Sequence, residues 1–444
     1  MGIPHGPLYL LAGVALTLAA NKLGSFQWSE LWQGEASFRG VSTSSIEGFQ
    51  APPDASAWEP LKEILQQWEF TTNYAVVVGN AKHGRLFTYE GGNFTLKTKI
   101  PTGSTSKWPS AMMFAGLVED GTIKSLDDPV YKYLPWWTKD AKDPRSTVTF
   151  RMLLSFTSGF GDGHPGEEAN TRAARLWRAN QKSSDPEVVP SRRLAAKQCD
   201  SVSGDILSCA KWIYENVKLI GTPGKVYSYN SNHLQLAAAV AVTVTKSNIQ
   251  QVIQKYLVEA FDMQDSSYPG NCPDFGAGLF TTGIDYEKFM AGLLAYKTLS
   301  KELIQQSEVD ATPFMKDYYT LYGDYGFGHF LMCFDSVKGF TKECEEAQCH
   351  MDPGAFGFIP LYDRKNNYYM QVVAAEIPPT GFYPLSGIPE YLAVGIKPHI
   401  DAIITGKVTS NPMEQMSHNP QLLSLSLSDV NYCLDCKLHP KNCS

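Results

Sequence analysis

Between Tyr74 and Tyr89 two strand-forming runs flank a polar break. Tyr74-Ala75-Val76-Val77-Val78-Gly79 is apolar and rich in β-branched residues, Asn80 to Gly84 is polar, and Arg85-Leu86-Phe87-Thr88-Tyr89 returns to strand formers. Two such runs around an Asn- and Gly-containing turn predict a β-hairpin. Pro101-Thr102-Gly103 then breaks the chain. Ala111, Met112, Phe114, Ala115 and Leu117 follow, a mostly apolar stretch that predicts a largely buried helix ending at Asp120-Gly121. Near the far end, Tyr369 to Glu376 reads as a core strand and Ile388 to Thr405 as an amphipathic closing helix. Gly323, Gly326 and Gly328 lie in a strand-like Tyr-Gly stretch, not ahead of a helix, so they do not read as a phosphate loop.

The predicted buried helix opens with Ser104-Thr105-Ser106-Lys107. Residues three apart share a helix face, so the hydroxyl and the amine point the same way. Serine is a weak nucleophile until a base takes its proton, and a lysine without its charge can be that base. A helix start offers unpaired N–H groups and partial positive charge. Both favour an oxyanion and disfavour an ammonium, and burial also pushes lysine toward its neutral form. Pro109 removes a donor near the end of the first turn, which predicts a tight or slightly bent turn. The plainer alternative is a capping serine followed by a solvated lysine. Spacing alone is weak, because about two Ser-x-x-Lys quartets are expected by chance in such a chain. The second, Ser208 to Lys211, sits in an ordinary amphipathic run before Trp212 and Ile213 and reads as the chance copy.

Later segments change the weighing. They are Gly121 to Pro135, Thr149-Phe-Arg-Met-Leu-Leu-Ser-Phe-Thr-Ser-Gly159, Pro223-Gly-Lys-Val-Tyr-Ser-Tyr-Asn-Ser231 and Gly276-Ala-Gly-Leu-Phe-Thr-Thr282. In this order they resemble the serine β-lactamase and penicillin-binding-protein superfamily, above all its class C β-lactamase-like branch with esterases and D-amino-acid peptidases. The likeness runs from about Trp58 to about Lys407. It implies an α/β (α+β) fold, with an antiparallel sheet flanked by helices, a mainly helical lobe inserted, and a cleft between the two.

The resemblance also assigns roles. Ser104 and Lys107 match the family's first element. Tyr229-Asn230-Ser231 matches the second: Tyr229 would shuttle a proton, provided nearby cations lower its pKa, and Ser231 would hydrogen-bond within the network or to substrate. Tyr227 reads as a packed core tyrosine. The third element is normally Lys or His, one residue, then Gly. Here the chain reads His350-Met351-Asp352-Pro353-Gly354-Ala355-Phe356-Gly357-Phe358. If His350 is the cation, two extra residues precede the glycine. If Gly354 is the glycine, Asp352 stands in the cation's place. Gly354 and Ala355 fit the family strand, and the Ala355 N–H would join that of Ser104 as an oxyanion hole. Otherwise His350 reads as a polar surface histidine beside a disulfide. The departure bears on recognition of a substrate carboxylate and on penicillins as substrates. Phe156 stands where many relatives have His, in a stretch read as structural.

With 444 residues, 43% hydrophobic and 19% charged, the composition is that of a globular protein. The net charge of −7 and the lack of a basic stripe argue against nucleic-acid binding. Leu8 to Ala20 is apolar but too short for a comfortable membrane span, and small residues at Ala19 and Ala20 suit cleavage. It reads as a secretory signal peptide, or else as an uncleaved anchor that would supply the protein's membrane contact. A secreted or lumenal protein should pair most of its nine cysteines, with Cys199 and Cys209 close enough in sequence to be partners. Asn93-Phe94-Thr95 is a glycosylation sequon, and Asn442-Cys443-Ser444 a second at the extreme end. Cys433, Cys436, His439 and Cys443 imitate a zinc site, but the spacing is cramped and disulfides are favoured. No metal or other cofactor is expected.

The organisation read from the chain is a signal segment (1–20), a lead-in (21–56), a catalytic unit (57–407) and a Cys-containing tail (408–444). The expected function is a serine hydrolase acting on a small-molecule or peptide ester or amide through an acyl-enzyme, an esterase or peptidase ahead of a true β-lactamase. The alternative is a non-catalytic relative that uses the fold for binding or assembly.

Overall fold

The structure is a computed structural model, which describes residues 53–68, 71, 73–161, 198–314, 322–332, 348–375 and 384–406. The apolar N-terminal segment, most of the lead-in, nearly all of the 160–190 loop and the tail with its zinc-like cysteines lie outside the described residues, as do Cys333 and Cys344.

In chain order the main elements are α1 (Glu59–Gln67), β1 (Tyr74–Asn80), β2 (Gly84–Gly91), β3 (Ile100–Pro101), α2 (Lys107–Glu119), α3 (Phe150–Leu154), α4 (Ile206–Asn216), α5 (Asn232–Thr245) and α6 (Ile249–Ile253). They continue with β4 (Phe280–Thr281), α7 (Gly283–Leu294), α8 (Lys301–Ser307), β5 (Tyr322–Tyr325), β6 (Phe330–Met332), β7 (Cys349–Met351), β8 (Phe358–Asp363), β9 (Tyr368–Ala374) and α9 (Pro384–Thr405). Seven strands form one sheet in the order β2-β1-β9-β8-β7-β6-β5. Every neighbouring pair is antiparallel.

The hairpin forms as its sequence predicts, and burial explains why its two strands look different. β1 pairs on both sides, with Val77 opposite Thr88 and Gln371. Tyr74 to Val78 are buried one after another, so β1 is a continuous apolar run instead of an alternating one. β2 is an edge strand, and its Arg85 and Glu90 keep polar groups on the exposed side. Helices cover both faces of the sheet. On β9, alternate residues point to opposite faces. Tyr369 and Gln371 reach Glu287 and Gly283 of α7, while Tyr368 reaches Asp401 of α9. The closing helix begins somewhat before the expected Ile388 and ends at Thr405.

α2 is the link between sheet and helical lobe. Residues Lys107 to Leu117 are all buried. An apolar helix with no polar face belongs inside, and α2 is accordingly packed among α3, α5, α8 and the residues 254–259. It ends where expected, at Asp120, with Gly121 left-handed (φ 76°). The second Ser-x-x-Lys lies on α4, where Ser208 and Lys211 are exposed and Lys211 faces Glu215 at 3.9 Å.

Cys199 and Cys209 are joined by a disulfide. Cys349 is free and buried, Cys272 is buried, and the other five cysteines lie outside the described residues. Among the described residues no helix is long and apolar enough to cross a membrane, and no cluster of three His, Cys, Asp or Glu side chains suits a metal.

Candidate active site

Ser104 lies in a tight 3-10 turn, Gly103–Ser106, that runs directly into α2. This is the tight first turn that Pro109 implied. Gly103 has φ 62°, a left-handed conformation that glycine adopts without a Cβ penalty. The turn is held from several sides. Ser106 Oγ donates to the Gly103 carbonyl (2.6 Å) and accepts the Leu279 N–H (2.9 Å). Tyr268 Oη donates to the Ser106 carbonyl (2.8 Å) and Tyr286 Oη to that of Thr105 (3.1 Å). The Thr105 hydroxyl is shared between the carbonyls of Asp352 and Phe358, each 2.8 Å away. Buried polar groups satisfied this fully make the turn rigid.

Lys107 is 1% exposed and Ser104 4%. The lysine is therefore not the solvated one of the plainer reading. Its Nζ stands 3.2 Å from Ser104 Oγ and donates to the Gly276 carbonyl at 2.7 Å. The same nitrogen lies 4.3 Å from the centre of the Tyr229 ring. Burial lowers the Lys107 pKa to about 8, against the opposing pull of Asp352 and Asp274. An amine so placed can accept the serine proton near neutral pH.

Tyr229 keeps partial exposure while its ring stacks on Phe330 (centroids 5.7 Å apart). Burial and the nearby Asp352 push its pKa well above 10, with a hydrogen bond to Ser104 pulling the other way. The expectation that neighbouring cations would lower this pKa is thus corrected. Tyr229 is a neutral phenol, which leaves Lys107 as the candidate base of the trio. Tyr227, as its core assignment implied, is buried against Tyr325. Ser231 leads into α5 and packs against Gly276, where a Cβ would come within 2.2 Å of Ser231 Oγ.

The chain from Asp352 to Phe358 lies along the other side of the nucleophile turn. Gly354 fits there because a Cβ would strike the Thr102 carbonyl at 2.1 Å and Thr105 Oγ1 at 2.3 Å. Gly354 donates to the Phe358 carbonyl (2.8 Å). The Ala355 nitrogen lies next to Gly103, 3.3 Å from where a Cβ would be, and its N–H meets no acceptor among the described residues. Asp352 is fully buried, and its Oδ2 accepts the Trp108 N–H at 3.0 Å in the first turn of α2.

A β-lactamase family profile matches residues 69–359, about two thirds of the chain. The chain belongs to the β-lactamase family. No curated protein matches it in sequence. Among solved structures it is similar to EstCE1, a hydrolase with promiscuous acyltransferase activity, at 16% identity and TM-score 0.56 over 76% of this chain and 98% of that one. It is also similar to unliganded simvastatin synthase LovD from Aspergillus terreus, at 14% identity and TM-score 0.54 over 80% and 99%. A β-lactamase from Mycobacterium bovis gives 17% identity and TM-score 0.50 over 76% and 98%. At these identities the likeness is one of fold, and it agrees with the mixed α/β architecture and antiparallel sheet.

Within this β-lactamase-family fold, His350 departs from both of its sequence readings. It is 1% exposed, on β7, beside a free cysteine and not a disulfide. Its Nδ1 pairs with His329 Nε2 at 3.1 Å, and its ring lies against Tyr362. Burial, with a smaller push from Arg364, lowers its pKa to about 3, so it is a neutral core histidine and supplies no cation. Strand alternation puts His350 and Asp352 on one face of the chain, and it is Asp352 that reaches α2. Phe156, at the family's usual His, is buried with φ 62° and stacks on His233 (5.0 Å). Sequence reasoning missed the Gly276 carbonyl, whose role is made by backbone and carries no side-chain signal. It also missed Glu390 on α9, which burial raises to about 8 and whose charge reaches Tyr229.

Proposed function

We propose that this protein hydrolyses a small ester or amide through an acyl-enzyme on Ser104. The observation that carries this reading is the buried Lys107 amine 3.2 Å from Ser104 Oγ. As Oγ attacks the carbonyl carbon, its proton passes to Lys107 Nζ. The N–H groups of Ser104 and Ala355 hold the oxyanion, a term worth several kcal/mol in such sites (about 3 for one donor). Tyr229 relays the proton to the leaving group, and Ser231 steadies the network or the substrate. Water then attacks the ester and the steps run in reverse. The acyltransferase activity named for EstCE1 and the synthase name of LovD support an ester over a β-lactam, as does Asp352, which stands where the resemblance implies a cation if Gly354 is the element's glycine.

A fluorophosphonate probe tests the reading. Wild-type protein should be labelled covalently, and Ser104→Ala should not. Labelling that persists in Ser104→Ala, or is absent from wild type, returns the protein to a binding or scaffold role.

The same reading takes the protein through the secretory pathway, directed by Leu8 to Ala20. The Cys199–Cys209 disulfide and the exposed Asn93 of the sequon agree with an oxidising, glycosylating compartment. Glycosidase treatment of protein from secreting cells should increase its gel mobility, and Asn93→Gln should reduce that change. Unchanged mobility of the wild type would argue against glycosylation.

A further inference from the structure

Asp352 and Lys107 are both fully buried and close enough for each to perturb the other's charge. Yet among the described residues they form no ion pair. Lys107 Nζ spends its contacts on Ser104 Oγ, the Gly276 carbonyl and the Tyr229 ring. Among the described residues Asp352 Oδ2 accepts the Trp108 N–H, and its buried Oδ1 has no hydrogen-bond partner. A buried carboxylate and a buried ammonium left apart would each bear a desolvation cost of several kcal/mol, and side by side they would be drawn into contact. One proton placed on the carboxyl and none on the amine removes both charges.

We propose that Asp352 is a protonated, neutral carboxyl in the resting protein, and that by staying neutral it leaves Lys107 a free amine. This makes Asp352 a positioning residue: it holds the first turn of α2 through Trp108 and withholds the negative charge that would keep a proton on the base. The proposal rests on Lys107 acting as the base for Ser104. The surroundings agree with it. The charged or titratable groups that face Asp352 are Lys107, Tyr229, Tyr268, Tyr286 and Tyr325, and the four phenols carry no charge near neutral pH. Lys107 is faced by Asp352, Asp274 and Tyr229, and Tyr229 in turn by Glu390. Burial raises the Asp352 pKa well above its ordinary value despite the lowering effect of Lys107.

Two measurements decide it. The first is the pH profile of kcat/KM for Asp352→Asn, whose side-chain oxygen can still accept the Trp108 N–H. A neutral amide in place of a neutral acid should leave the acid limb where it is in wild type. An acid limb displaced to lower pH would mean that a carboxylate charge had been holding the Lys107 proton, and would overturn the proposal. The second uses the wild type alone, in case the variant does not fold. The 13Cε resonance of Lys107, identified by its loss in Lys107→Arg, should titrate at about 8 or below and report a free amine at about pH 9. An ammonium there would equally overturn it. The resonance measurement needs no turnover and does not depend on the probe-labelling outcome for Ser104→Ala, so failure of the nucleophile assignment and failure of this inference are told apart.

Discussion

The carbonyl of Gly276 holds the amine of Lys107 at 2.7 Å, and Ser231 packs against the Cα that carries that carbonyl. The amine is thus aimed by backbone from a distant loop and, among the described residues, forms no ion pair. A methyl at position 276 would meet Ser231 Oγ at 2.2 Å and its Cβ at 3.0 Å. Gly276→Ala should therefore lower kcat at least about tenfold and cost about 1–3 kcal/mol in stability, the usual range for overpacking. Ser231→Gly in the same chain should recover part of the stability. Urea denaturation and ester turnover check both.

The proton balance of the trio fixes the pH dependence. Lys107 must be neutral to accept a proton, so kcat/KM should rise with pH through a value of about 8 or below. Tyr229 loses its proton only well above pH 10, so no fall is expected between the acid limb and pH 10. Lys107→Met should reduce kcat at least about a thousandfold, as losses of an activating base commonly do. Initial rates with a short-chain nitrophenyl ester across pH provide the measurement.

Acid should destabilise the fold through histidines buried in neutral form. Burial lowers His233 to about 4, and His329 and His350 to about 3 each. In the unfolded chain histidine titrates near 6.5. The unfolded state therefore binds more protons from about pH 6.5 down to the folded-state values, and stability falls with falling pH across that window. Each such histidine contributes up to about 1.4 kcal/mol per pH unit. Urea midpoints at pH 7 and pH 5 should differ accordingly, and His233→Gln should flatten the slope by one histidine's share. Identical midpoints would show that these rings do not stay neutral and buried.

Penicillin-type compounds should be poor substrates. With His350 withdrawn into the core and Asp352 at the third element, the described site offers no cation there to a substrate carboxylate. Nitrocefin should be turned over at least about a hundredfold less efficiently than a short-chain nitrophenyl ester, as expected when a charged group finds no partner. Comparable efficiencies would indicate a cation from another part of the chain.

What could be read from the sequence was what is written locally. The Tyr74 to Tyr89 hairpin and the helix from Lys107 follow from periodicity and breakers, and Ser-x-x-Lys needs only the pitch of a helix. The third element could not be resolved that way. His350 and Asp352 are two apart on an extended chain, so both fit one face, and pairing of β7 with β6 and β8 decides which one meets α2. The burial of Lys107 was foreseen only as a tendency, because it depends on Gly276 and Tyr229, residues far away in the chain. The Tyr229 pKa was misjudged for the same reason: distant parts of the chain bury the phenol and bring Asp352 near it.

The bonds that fix the nucleophile turn span long stretches of chain: Thr105 reaches residues 247 and 253 positions later, Lys107 one 169 later, and Tyr268 reaches back 162 to Ser106. A polypeptide emerging from the ribosome thus exposes its reactive serine long before the groups that awaken it exist. On the proposed mechanism the nascent chain is inactive, and a fragment cut short of Phe358 would remain so.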